Sequence, residues 1–170
     1  MAFKYTKEWA DEVIKLAKKG AIEGFSLSEE DRFLSLVEMP DCTNDARVVK
    51  TLIQAMFFDE FFAYDETVGN ELSCIDYKVY FTALFDLIPK ILSGKYPGLA
   101  VYLLDRRVID RYTPDEWKLI ENLIRKKLNR GDILKMISAF EDNPYFDLDS
   151  EDYPFMEFYK LLNKILADTE

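Results

Sequence analysis

Thr113-Pro114-Asp115-Glu116 leaves the chain little choice but to begin a helix. Thr113 can accept the Glu116 amide and Glu116 can reach back to the Thr113 amide, while Pro114 stands at the first helical position, where a missing N–H costs nothing. Apolar residues then recur at Trp117, Ile120, Leu123, Ile124 and Leu128, the 3.6-residue period, up to Gly131. The same grammar recurs along the chain. Residues 6–19 carry Trp9, Val13, Leu16 and Ala17 on one face, with Gly20 as the stop. Ser26 with Glu29 makes a second capping box, and that helix ends before Pro40.

A longer helix is expected from Thr43 or Asn44 through Val48, Leu52, Met56, Phe57, Phe61 and Tyr64, closed by Gly69-Asn70. Ser73 with Asp76 opens the next, through Tyr80, Phe81, Leu84 and Phe85, and Pro89 ends or kinks it. After the turn signal Tyr96-Pro97-Gly98, residues 99–104 suit either a buried helix or a short strand; helix is preferred because 105–112 favours it. Asp132 starts a short helix that Asn143-Pro144 breaks, residues 143–152 read as a loop, and Phe155 to Leu166 forms the last helix. Short connections and the absence of a repeat or linker predict an all-α fold: one domain over 1–170, an irregular bundle or array of seven to eight mostly antiparallel helices. At 170 residues such a chain can bury roughly 70% of its unfolded surface.

Charge is distributed unevenly. Residues 51–77 and 136–159 contain no Lys or Arg and hold 13 of the 32 acidic residues, enough to account for the whole net charge of −10. The first stretch carries Asp59, Glu60, Asp65, Glu66, Glu71 and Asp76; the second carries Glu141, Asp142, Asp147, Asp149, Glu151, Asp152 and Glu157. Both are rich in rings. Helical spacing accounts for Phe57, Phe58, Phe61 and Phe62 as core, whereas Tyr145, Phe146 and Tyr153 lie among acids around a helix break. Carboxylates paired with rings can hold Lys and Arg by ion pairs and cation-π contact. The candidate partner-binding residues are therefore Glu141, Asp142, Tyr145, Phe146, Asp147, Asp149, Glu151, Asp152 and Tyr153, with Asp59, Glu60, Asp65 and Glu66 as a second patch.

Other chemistries are disfavoured. Histidine is absent, which removes the usual general base and the commonest metal ligand. There is no phosphate-binding glycine loop, nucleophile elbow or dinucleotide pattern. The acids at 147–152 lack the glycine and terminal Glu of a calcium loop. A carboxylate-only enzyme ranks lowest, and no cofactor or metal is implied. A strongly negative surface repels phosphate backbones and anionic lipid, so neither nucleic acid nor membrane is an expected partner. The basic face of residues 105–130 reads as a solvated surface or an internal counterweight. Charges interrupt residues 1–24, and no apolar run reaches a membrane span, which points to the cytoplasm. The count of two cysteines allows a disulfide, but in that reducing compartment Cys42 and Cys74 are expected as free thiols.

Small size, acidity and the lack of catalytic motifs, with Ala55-Met56-Phe57-Phe58-Asp59-Glu60-Phe61-Phe62 and Glu151-Asp152-Tyr153-Pro154-Phe155, give a chain that resembles bacterial toxin-immunity proteins, including those of contact-dependent growth inhibition systems. The resemblance implies a basic toxin domain as partner, for instance a nuclease whose phosphate cleft an acidic inhibitor can occupy. A helical adaptor and a phage-type inhibitor that mimics nucleic acid are the alternatives.

Overall fold

The computed structural model describes residues 2–59, 64–105, 112–144 and 154–168, and it is all-helical over these residues. Nine α-helices are present among them: α1 Lys7–Glu23, α2 Leu27–Glu38, α3 Ala46–Ala55, α4 Asp65–Ser73, α5 Tyr77–Leu92, α6 Gly98–Asp105, α7 Pro114–Lys127, α8 Arg130–Glu141 and α9 Pro154–Ala167. A single 3-10 turn, Met56–Phe58, follows α3. The chain forms two compact units, residues 1–84 and 85–170, with the boundary inside α5. No helix among the described residues is long and apolar enough to cross a membrane.

Capping signals place several helix starts. Thr113 and Ser26 close the predicted boxes with Glu116 and Glu29. Asn129 makes a third with Asp132, so α8 begins two residues before Asp132, which lies buried at its third position. Residues 99–104 are helical. Asp76 accepts the Lys78 amide at 2.9 Å and so starts α5, while Ser73 belongs to the end of α4. Pro89 lies within α5 without ending it; Ile88, Ile91 and Leu92, all buried, hold the last turn in the core.

Three glycines behave differently from the expected stops. Gly131, placed at the end of the Thr113 helix, is the second residue of α8, since α7 already ends at Lys127. α1 runs through Gly20 to Glu23 and ends at Gly24, whose φ of 80° suits a residue without Cβ. Gly20 instead admits the Phe25 ring: a Cβ there would lie 2.4 Å from Phe25 Cζ. Gly69-Asn70 is interior to α4, and Gly69 is buried. The predicted long helix breaks at Met56–Phe58 and Asp59 is extended, which gives one helix more than expected.

In the first unit α1 packs on α2 and α3, and α4 packs on α2 and α3. Trp9 is buried, donates its indole N–H to the Leu36 carbonyl at 2.9 Å, and takes the edges of Phe3 and Tyr5. Phe33, Phe25 and Tyr64 form a triangle of mutually contacting rings. In the second unit α8 packs on α6 and α9. Trp117, Tyr112 and Phe158 meet edge-on or tilted, and the Tyr112 hydroxyl donates to the Leu104 carbonyl at 2.8 Å.

Glu29 couples capping to charge. Its carboxylate pairs with Lys19 and accepts the Ser26 amide and hydroxyl, which hold its pKa down to about 2. A depressed carboxylate contributes stability above its unfolded pKa near 4.5, and that contribution is lost as pH falls through about 2. Glu29→Gln should lower Tm by about 2 °C at pH 7. The gap between variant and wild type should close on acidification below pH 4.5. A gap that persists unchanged at pH 2 would show that the charge has no part in it.

Candidate acidic surface

The second predicted patch is only partly assembled. Asp65 and Glu66 share the first turn of α4, where carboxylates complement the positive end of the helix dipole. Asp59 is half-buried after the 3-10 turn. Glu60 lies outside the described residues. Of the first patch, Glu141 closes α8 and accepts the Tyr159 hydroxyl at 2.8 Å, a bond that raises the Tyr159 pKa, with burial adding to it. Asp142 is the exposed C-cap of α8. Tyr145, Phe146, Asp147, Asp149, Glu151, Asp152 and Tyr153 lie outside the described residues.

A different acidic corner is complete in the first unit. α2 ends on Glu38 and Met39, and Pro40 turns the chain. Asp41 and Cys42 follow with φ of 46° and 58°, left-handed values uncommon for residues with a Cβ. The turn is held by Asp41 N–H to the Glu38 carbonyl (3.2 Å), Thr43 N–H to the Pro40 carbonyl (3.0 Å) and the Thr43 hydroxyl to the same carbonyl. It is also held by a disulfide from Cys42 to Cys74, so the expectation of free thiols is overturned. The fold brings the C-cap of α4 beside this turn, with the two Cα atoms 5.5 Å apart. Glu71, one turn before Cys74, accepts the Cys42 amide at 3.1 Å. Burial pushes the Glu71 pKa up; the Cys42 amide opposes this, and the charges of Asp41 and Glu38 add to the rise.

Met39 is 44% exposed and stands between two shallow grooves. One is lined by Asp31, Leu34, Ser35 and Glu38, the other by Phe3, Pro40, Asp41 and Thr43. Four cations of this unit are engaged elsewhere: Lys7 with Asp11, Lys19 with Glu29, Arg32 with Glu12 and Arg47 with Asp45. Among the described residues, Asp31, Glu38 and Asp41 form no ion pair. Glu38 also sits at the negative end of the α2 dipole, whose last turn has no basic residue; a carboxylate there is unfavourable by about 0.5 kcal/mol. The corner is thus an apolar side chain framed by uncompensated carboxylates, which can receive a Lys or Arg beside an apolar contact. In the sequence, Glu38-Met39-Pro40-Asp41 reads only as a helix stop. The signal the sequence offers is a Met flanked by acids at a helix end.

No protein-family model, no curated protein and no solved structure matches this chain.

Proposed function

We propose that the protein is an acidic binding protein that covers the cationic surface of a protein partner, and that it acts as an immunity protein against a bacterial toxin. The observation that carries the reading is Met39 framed by Asp31, Glu38 and Asp41, three carboxylates without an ion-pair partner among the described residues. Methionine adapts its shape to a partner and is enriched at interfaces. Unpaired acids around it raise the rate of encounter with a basic surface and penalise acidic ones. The seven acidic residues of 136–159, a stretch without Lys or Arg, add negative charge that favours the same class of partner.

The test begins at the neighbouring genes: the reading expects a secreted protein with a basic C-terminal domain encoded immediately upstream. That domain should form a 1:1 complex in calorimetry, weakened by salt, and co-expression should rescue cells from its toxicity. Met39→Ala should weaken binding about tenfold. The triple change Asp31→Lys, Glu38→Lys and Asp41→Lys should weaken it about 100-fold at low salt, mostly through the association rate. Reversal of Asp147, Asp149, Glu151 and Asp152 separates the other patch. Affinity untouched by both sets of reversals would sink the proposal.

A further inference from the structure

Cys42, Cys74 and Glu71 form a group whose two sulfurs and one carboxylate oxygen lie within 4.8 Å of one another. Glu71 and Cys74 are three residues apart across the end of α4, which puts both side chains on one side of that helix end. Cys42 comes from the turn after α2. Glu71 Oε2 is already oriented by the Cys42 amide, and Oε1 takes no hydrogen bond from any described residue. Thiolates bind zinc at about 2.3 Å in a tetrahedron, which sets two sulfurs roughly 3.8 Å apart. With Cα atoms 5.5 Å apart, opening the S–S bond and rotating two side chains reaches that separation without moving either backbone segment far. Glu38 and Asp41 are close enough to act on the Glu71 charge, and their own charge favours a cation at the same place.

We propose that the reduced form of this corner binds a zinc-type divalent cation through Cys42 Sγ, Cys74 Sγ and the Glu71 carboxylate, with water in the fourth position. The disulfide and the metal are then alternative closures of one site. Two molecules of a small thiol reduce the bond, giving two cysteine thiols and one small-molecule disulfide. The cation next displaces the two thiol protons and takes both thiolates. Soft sulfur ligands select zinc over magnesium or calcium. Two thiolates and one carboxylate against a dication leave the site at −1, so metal binding preserves the negative character of the corner.

The experiment compares oxidised and phosphine-reduced whole protein under anaerobic conditions. Zn²⁺ is titrated in competition with a chromophoric chelator, and Co²⁺ serves as a spectroscopic substitute. Reduced wild type should bind one Zn²⁺ per chain and give a thiolate-to-cobalt charge-transfer band; the oxidised protein should give neither. Cys42→Ser with Cys74→Ser should abolish the band. Glu71→Gln keeps both thiols and should retain the band while weakening Zn²⁺ more than about tenfold, since even outer-shell partners cost that much. The oxidised wild type and Glu71→Gln both retain the cysteines, so the result stands even where the double serine variant fails to fold. Equal Zn²⁺ affinity in oxidised and reduced protein, no cobalt–thiolate band, or an unaltered Glu71→Gln would each overturn the site, the first by assigning binding to the acidic surface alone. No protein partner enters this assay, so its outcome is independent of the toxin-binding proposal.

Discussion

Phe33→Ala should destabilise the first unit by about 4 kcal/mol, within the range for deleting a fully buried aromatic ring. Phe33 has no exposed surface. Its ring centroid is 5.5 Å from both Phe25, stacked at 29°, and Tyr64, near-perpendicular at 63°, while Phe25 and Tyr64 are themselves 5.4 Å apart. The three rings come from separate elements: the loop after α1, the middle of α2 and the N-cap of α4. Removing Phe33, the fully buried one of the three, leaves a void that its neighbours cannot close, because the Tyr64 hydroxyl is tied to Glu30 at 3.1 Å and Phe25 covers Gly20. Urea denaturation followed by circular dichroism should show a lower midpoint with an unchanged slope, and Phe33→Leu should lose less than half as much. A loss under about 1.5 kcal/mol would mean that the cluster collapses onto the gap and fixes nothing.

That cluster shows where sequence reading stops. The capping box at Ser26 places the helix that carries Phe33, but nothing in Gly20 distinguishes a helix stop from a seat for a ring. The distinction depends on Phe25, five residues away, folding back. Capping boxes were legible because their chemistry closes within four residues, as at Ser26 and Thr113. The break at Met56–Phe58 was not, since three apolar residues satisfy the helical period equally well on either side of it. The acidic corner failed for a related reason. Composition directed attention to stretches that lack cations, yet what leaves a carboxylate uncompensated is where distant cations go. Arg32 and Asp31 are adjacent in sequence, but Arg32 makes a two-pronged bond to Glu12, twenty residues earlier. Lys19 is held by Glu29. Cys42 and Cys74 read as free thiols on the expectation of a reducing compartment, and only the packing of α4 on α2 brings them together across a 32-residue separation.

Reducing the disulfide should be the other large perturbation. A cross-link over 32 residues restricts the unfolded chain enough to contribute about 3.7 kcal/mol on the loop-entropy model. The native turn adds a second effect. Asp41 and Cys42 keep left-handed φ values only while the surrounding bonds hold them, and conformations of this kind cost about 1 kcal/mol or more per residue. Once the S–S bond is gone, the Pro40 carbonyl contacts and the Glu71 bond to the Cys42 amide carry that strain alone. Cys42→Gly with Cys74→Ser should therefore be more stable than the double serine variant by about 1 kcal/mol, because glycine adopts the positive φ freely. Equal stability of the two would show that the turn relaxes when untied. Zinc separates the remaining contributions: at 100 times its dissociation constant it should return about 2.7 kcal/mol to the reduced wild type, and nothing to either double variant. Recovery in the reduced wild type alone would establish that one corner accepts two closures, and that the geometry of the turn, rather than the sulfur–sulfur bond itself, is what the fold maintains.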